Sequence, residues 1–536
     1  MKLAAPPTLG SRFVAALPGD AEKENRSRQV SNALYTPVLP EAVSDPRLLM
    51  LSPTLSAELG LDEAFCQSDS FARLMSGNEL FPGVVPFATR YGGHQFGHWA
   101  GQLGDGRAIN LGELVARDGR FMNLQLKGAG PTPYSRGADG RAVLRSSARE
   151  FLCSEAMHFL GVPTTRALSL VLTGDQVVRD MFYDGNPQKE PGAIVCRVAP
   201  SFTRFGHFQL CAYRGELDLL RLLIHQCIRD DFPHLGAPTI DSGKDLSRDL
   251  MLRWFEEICQ STARMIAHWM CLGFVHGVMN TDNMSVLGLT IDYGPYGWLD
   301  HFDPEWTPNT TDAQTRRYRY AEQPDIALWN LYQLANALLP VLEDVPSVEK
   351  ILQAFPLFYE NEWFNRMGEK LGLEDRSGEE GQALIRDLVG LLTLRETDMT
   401  LFFRALADLP LMGDVGQDIA VLQHTFYGSE PVEGEHLEQL SGWLQRYGAR
   451  VKQEAQSPAQ RHERMNRVNP WFILRNYLVQ EALDRVQEEG DFSGLHALHA
   501  VLQSPYAEHK DFPGFHRKRP DSARHRAGAS MLSCSS

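Results

Sequence analysis

The stretch His276-Gly277-Val278-Met279-Asn280-Thr281-Asp282-Asn283, followed by Ile291-Asp292-Tyr293-Gly294, decides how this chain is read. It supplies a side-chain amide at Asn283 and a carboxylate at Asp292, the hard oxygen ligands that Mg²⁺ prefers. Seen alone, these are ordinary loop residues. Their spacing, and the elements that precede them, argue for a built site.

In the protein-kinase catalytic loop HRDLxxxN the metal-binding Asn falls seven positions after the His, and a D-F-G triplet then supplies a second metal ligand. Asn283 stands seven positions after His276, and Asp292-Tyr293-Gly294 takes the D-F-G place. Upstream, Met122, Leu124 and Leu126 alternate with Asn123, Gln125 and Lys127, which puts Lys127 on the polar face of a strand. Glu150 follows on the one clear helix of that region, where kinases place the glutamate that pairs with their phosphate-binding lysine. An isolated Lys or Glu is usually a solvated surface charge; it is the order of the set that points to a nucleotide site. The glycine-rich run Gly101-Gln102-Leu103-Gly104-Asp105-Gly106-Arg107 would let backbone N–H groups approach phosphate, with Arg107 adding charge. It lacks the GxGxxG order of ordinary kinases and reads equally well as a plain turn.

Outward from these motifs, residues 85–200 are β-rich. Strands are expected over 108–114 and 121–127 about the turn pair Asp118-Gly119, and over 168–172 and 177–182 about Thr173-Gly174-Asp175, with a further strand over 193–198. A helix is expected over 141–160, stopped by Gly161 and Pro163. Beyond 205 the pattern turns helical, with helices expected over 217–229, 249–272, 325–339 and 471–487. The expected class is α+β: a protein-kinase-like two-lobed fold with a small β-rich N-lobe containing one key helix, and a large, mostly helical C-lobe. Its parts are an extended N-terminal segment lying on the surface over 1–45, the N-lobe over 46–205, the C-lobe over 206–510, and a mobile tail over 511–536 that carries Cys534.

The 536 residues suffice for two lobes, each with its own core. A formal charge of -15 argues against a general nucleic-acid or anionic-membrane surface, which needs clustered Lys and Arg. No apolar run is long enough to cross a membrane. The 8 cysteines show no CxxC pair and read as reduced thiols of a cytoplasmic protein, with Cys534 as the exception. Val278 occupies the position where a kinase has its catalytic Asp, so ordinary phosphoryl transfer lacks its base; Asp282 is the nearest carboxylate able to replace it.

The segments RYGGHQFGHWAGQLGDGRA, LQLKGAGPTPYSRGADGRAVLRSSAREFL, CRVAPSFTRFGHFQ, HGVMNTDNMS and IDYGP, with the terminal SCSS, resemble the selenoprotein O family of pseudokinase-fold protein adenylyltransferases. The resemblance implies a nucleotide bound inverted relative to kinases, and transfer of AMP from ATP to Ser, Thr or Tyr hydroxyls of proteins. It implies nucleotide contacts at Gly104, Gly106, Arg107, Lys127, Asp139, Gly140, Arg197, Arg204 and Asp292. Glu150 would orient Lys127, Asn283 and Asp292 would hold Mg²⁺ (or Mn²⁺), and Asp282 would be the catalytic base. An inward-turned γ-phosphate would give Arg197 and Arg204 a role that they lack as surface or structural ion-pair residues. Cys534 matches a redox-active position that in some members closes a disulfide with a cysteine beyond the DYG motif; this chain has no cysteine between Cys271 and Cys534. The expected partners are ATP and proteins with hydroxyl side chains, without nucleic acid or membrane, and a monomer is expected. UMP transfer from UTP with Mn²⁺, a non-catalytic ATP-binding scaffold and a small-molecule phosphotransferase remain as alternatives.

Overall fold

The alternation read over 121–127 is realised in the computed structural model, which describes residues 6–236, 246–374 and 378–533. Eleven strands are labelled in chain order: β1 Tyr35–Pro37, β2 Arg47–Leu51, β3 Phe87–Thr89, β4 Gly92–Gln95, β5 His98–Gln102, β6 Ala108–Val115, β7 Phe121–Lys127, β8 Arg166–Arg179, β9 Gln188–Ala199, β10 Phe274–Val275 and β11 Gly297–Trp298. Seven form one antiparallel sheet in the order β1-β3-β6-β7-β9-β8-β2. The expected β6–β7 hairpin turns at Asp118-Gly119, where Gly119 takes φ +84° and Ala116 N–H donates to Arg120 O at 2.8 Å.

Side chains alternate across a strand, so the register Gln125↔Arg197 and Lys127↔Val195 decides which groups share a face. Gln125, Lys127 and Arg197 fall on one face. Leu124, Leu126, Ile194, Cys196 and Val198 fall on the other, in a core shared with Phe71, Leu74 and Met75 of the helix Asp69–Ser76. The first face is covered in part by the helix Leu144–Phe159, whose Ala148, Phe151 and Leu152 join Ala193, Val195 and Leu170 in the larger core. Gly161, at φ +79°, ends that helix as its sequence position indicates.

The chain from 205 onward is mainly helical. The helix Arg248–Leu272 is capped by Ser247 and stopped by Gly273 at φ +74°. It delivers the chain into β10, which pairs with β11 as Phe274↔Trp298 and Val275↔Gly297. That short ladder pins both ends of the 276–296 loop, which carries the decisive motifs. Among the described residues, no helix is long and apolar enough to cross a membrane.

Four expectations are corrected. The turn expected at Thr173-Gly174-Asp175 is a bulge inside the single strand β8, because β9 runs far enough to pair on both sides of it. The helix expected from 471 begins at Asn476, since Trp471 and Phe472 give their N–H groups to Pro505 O at 2.8 and 3.0 Å. Residues 6–45 do not simply lie on the surface: β1 is an edge strand of the sheet, and Leu9, Leu17, Val30 and Leu34 are buried. The tail is docked as far as Ser533: Ala529 and Leu532 are buried, and Thr310 N–H donates to Leu532 O at 2.7 Å. Cys534 lies outside the described residues.

Candidate active site

A cleft of about 750 Å³ opens between the polar face of the sheet and the 276–296 loop. Gly104, Gly106, Arg107, Lys127, Asp139, Gly140, Arg197, Arg204, Asp282, Asn283 and Asp292 all line it, as does Val278. Glu150 stands behind this wall, where Lys127 Nζ lies 2.6 Å from Glu150 Oε2. The strand thus offers its lysine to the cleft while the helix supplies the counter-charge.

Asp292 is the electrostatic centre. One carboxylate oxygen pairs with Arg197 Nη1 and the other with Arg204 Nη1, and Lys127 Nζ is 3.8 Å away. Burial opposes ionisation of Asp292, but Arg204, Arg197 and Lys127 together hold its carboxyl well below the usual carboxylate range. Burial also lowers the Lys127 ammonium, with Glu150 and Asp292 opposing that shift. Arg197 is itself shared: Nη1 reaches Glu150 Oε1 at 3.2 Å, and Nη2 donates to Gln125. Arg204 Nη1 also donates to Asp282 O at 2.8 Å, and its guanidinium lies 4.9 Å above the Tyr91 ring. Asp292 has φ +58°, a left-handed backbone that non-glycine residues rarely adopt and that is often found at functional sites.

Asp282 sits on a short turn of 3-10 helix, Thr281–Asn283, at the opposite wall. Its Oδ2 accepts from Gln95 Nε2 at 3.3 Å, while Oδ1 is buried with no hydrogen-bond partner. Burial pushes the Asp282 carboxyl up to about 6, against the pull of Arg204. Asn283 Nδ2 is committed to Val278 O at 2.9 Å, which leaves the amide oxygen as the group able to bind a cation. His276 is structural: its Nε2 meets Ile291 O at 2.8 Å and its ring stacks on Trp269, tying the two motifs together.

Residues 20–503 match the family model described as protein adenylyltransferase SelO. The chain belongs to the SelO family. It is 56% identical over 526 residues to the protein nucleotidyltransferase YdiU of Xanthomonas campestris pv. campestris (strain B100), covering 98% of this chain and 99% of that protein. It is 54% identical over 531 residues to the YdiU of Azoarcus sp. (strain BH72), covering 99% of this chain and 100% of that one. The YdiU of Rhodopirellula baltica is 52% identical over 540 residues, with 99% of each chain covered.

Within this SelO-family chain the cleft includes residues that the sequence did not single out. The expected glycine-rich loop is shorter than it reads, because Gly101 and Gln102 end β5; only Leu103 to Arg107 forms the turn against the cleft. Gly104 has φ +84°, and a Cβ there would collide with the Tyr134 ring, so glycine is required. Asp139 forms an ion pair with Arg179 at 2.6 Å across forty positions of sequence, a pairing that no local pattern signals. Tyr91, Gln95, Phe96 and Asn280 also reach the cleft; the hairpin β4–β5 brings the first three, and the glycine content of its sequence concealed a strand pair.

The donors suit a divalent cation of the Mg²⁺ class, which is usually held by one or two side-chain oxygens together with substrate phosphates. Among the described residues there is no cluster of three or more His, Cys, Asp or Glu side chains that would hold a metal by itself. Asn283 and Asp292 provide an amide and an ionised carboxylate, and the orphaned buried oxygen of Asp282 lies in the same cleft.

Proposed function

We propose that this SelO-family chain transfers AMP from ATP to Ser, Thr or Tyr hydroxyls of proteins, in a cleft between a kinase-like N-lobe over 46–205 and a C-lobe over 206–510. The observation that carries this reading is the buried, partnerless Oδ1 of Asp282 on the 276–296 loop, across the cleft from Lys127 and Arg197 and beside Arg204, with Val278 where a kinase would have its base.

In this reading Lys127, Arg197, Arg204 and Arg107 bind phosphate oxygens, while Gly104, Gly106, Asp139 and Gly140 shape the outer part of the nucleotide site. Glu150 holds Lys127 by their 2.6 Å ion pair. Asp292 and phosphate oxygens compete for the same two guanidinium groups, so an arriving triphosphate frees the carboxylate. Asn283 and Asp292 would be the residues to hold Mg²⁺ or Mn²⁺, whose charge would favour departure of pyrophosphate. Asp282 takes the proton of the acceptor hydroxyl. The hydroxyl oxygen bonds to the α-phosphorus, the bond from that phosphorus to the bridging oxygen breaks, and pyrophosphate leaves with the electron pair.

Incubation with ATP labelled at the α- or the γ-phosphate tests the proposal. Protein should acquire the α-label and not the γ-label, with pyrophosphate released. Label arriving only from the γ-position would make the chain a kinase, and preferential labelling from α-labelled UTP at equal concentration would replace AMP by UMP.

A further inference from the structure

The hairpin β4–β5 forms a two-stranded sheet of its own, apart from the seven-stranded one. It is fastened to the loop that carries Asp282. His94 N–H donates to Thr281 Oγ1 at 2.7 Å, Phe96 N–H to Asn280 Oδ1 at 3.2 Å, and Gln95 Nε2 to Asp282 Oδ2 at 3.3 Å. The tip at Phe96-Gly97 therefore stands beside the residue proposed as base.

Away from the cleft, the hairpin carries an aromatic ledge. Trp99 packs on His94 and on Tyr213 with ring centroids 5.1 and 4.7 Å apart, and His94 packs edge-on against Trp329 at 5.5 Å. Tyr213 is 70% exposed. Arg317 lies 4.7 Å over the Trp329 ring, its Cζ 3.5 Å from where a Cβ of Gly97 would sit. Arg90, Arg166 and Arg475, by contrast, each pair with a carboxylate. Arg317 has none within ion-pair distance among the described residues, and its Nε and Nη2 are buried without an acceptor. Trp99 Nε1 is likewise buried without a partner, while His94 lies beside the Gln209 side chain. The Nη1 of the Arg317 guanidinium is not among the buried atoms, so it is the donor that an acceptor arriving from solvent can reach.

We propose that this ledge docks the polypeptide that carries the accepted hydroxyl, and that the docked segment has an acidic residue beside its Ser, Thr or Tyr, paired with Arg317. The inference rests on the reaction proposed above and adds the class of acceptor. Charge complementarity selects the segment: an unpaired guanidinium on an aromatic shelf favours a carboxylate and penalises a nearby lysine. The hydroxyl is then delivered over Phe96 to Asp282.

The test uses the full chain with Mg²⁺, α-labelled ATP and two synthetic peptides that are identical around one Ser except for Glu or Lys on either side of it. The wild type should label the Glu peptide with a kcat/KM about tenfold above that of the Lys peptide. Arg317→Lys should keep the preference and Arg317→Glu should reverse it, with the KM for ATP unchanged in each. Where Arg317→Glu alters the KM for ATP, Arg317→Gln replaces it and should abolish the preference. Equal labelling of both peptides by the wild type overturns the inference alone, as does a preference that survives Arg317→Glu or Arg317→Gln, or labelling of the protein itself with neither peptide labelled. Absence of α-label on peptides and protein alike overturns the proposed reaction and this inference with it.

Discussion

Lys127 Nζ lies 2.6 Å from Glu150 Oε2, joining the last residue of β7 to the middle of the helix Leu144–Phe159. Glu150 is buried and also receives Arg197, so one carboxylate compensates two cations behind the cleft. Removing one partner of a buried ion pair leaves the remaining charge uncompensated. Glu150→Gln should therefore destabilise the fold by about 3 kcal/mol and weaken ATP binding. Thermal denaturation and calorimetric titration of the nucleotide check the two effects.

Asp282 is held by a single side-chain contact, that of Gln95. If it takes the proton of the acceptor, Asp282→Asn should lower kcat by about 10²–10⁴ while ATP affinity stays within about twofold, because the residue faces the acceptor more than the phosphates. Gln95→Leu should produce a smaller fall in kcat, also with ATP affinity retained, since it frees the Asp282 carboxylate without removing it. Transfer kinetics measured beside nucleotide titrations distinguish these cases from a general loss of fold, which would abolish binding as well.

In Asp292 the oxygens that would meet a cation are occupied by Arg197 and Arg204. Neutralising this residue should separate the two binding functions. Asp292→Asn should abolish transfer, yet in the presence of a chelator it should bind ATP about tenfold more tightly than the wild type, because both guanidinium groups become free for phosphate. The wild type should lose transfer on chelation and recover it when Mg²⁺ or Mn²⁺ is restored. Equilibrium binding with and without EDTA measures the first effect, and label transfer measures the second.

Much of this geometry was legible because it is local. The alternation around Lys127, the helix around Glu150 and its stop at Gly161, and the interval from His276 to Asn283 all depend on neighbours within one element, and each appears in the structure where the sequence puts it. What escaped was non-local. The pairing of β1 with β3 joins segments some fifty residues apart, and the Asp139–Arg179 ion pair spans forty. The turn residues at 173–175 carry ordinary hairpin chemistry, but the length of the facing strand converts the turn into a bulge. Gly101 and Gln102 open the glycine-rich run read over 101–107 but end β5, and the contacts of the β4–β5 hairpin to Asn280, Thr281 and Asp282 show that it supports the other wall. The ion cage around Asp292 likewise depends on β9, on the N-terminus of the helix Phe205–Tyr213 and on the 276–296 loop meeting in space.

His207 offers a pH-dependent reading of that cage. Its Nδ1 accepts the backbone N–H of Arg204 at 3.0 Å, at the start of the helix Phe205–Tyr213. Protonation of Nδ1 would remove this acceptor beside the arginine that holds Asp292. Burial, and then the charges of Arg204 and Arg90, push the His207 imidazole down to about 3. An unfolded histidine titrates near 6.5, so between these values the unfolded chain binds the additional proton. The stability associated with a neutral His207 is thus fully present above about pH 6.5 and is lost as pH falls from there toward 3. At about pH 5 the loss from this residue alone should be about 2 kcal/mol. His207→Asn retains an oxygen acceptor for the Arg204 N–H but cannot titrate. Denaturant unfolding at pH 7.5 and pH 5 should therefore give a smaller pH difference for this variant than for the wild type, and equal differences in the two proteins would show that the acid sensitivity of the fold arises elsewhere.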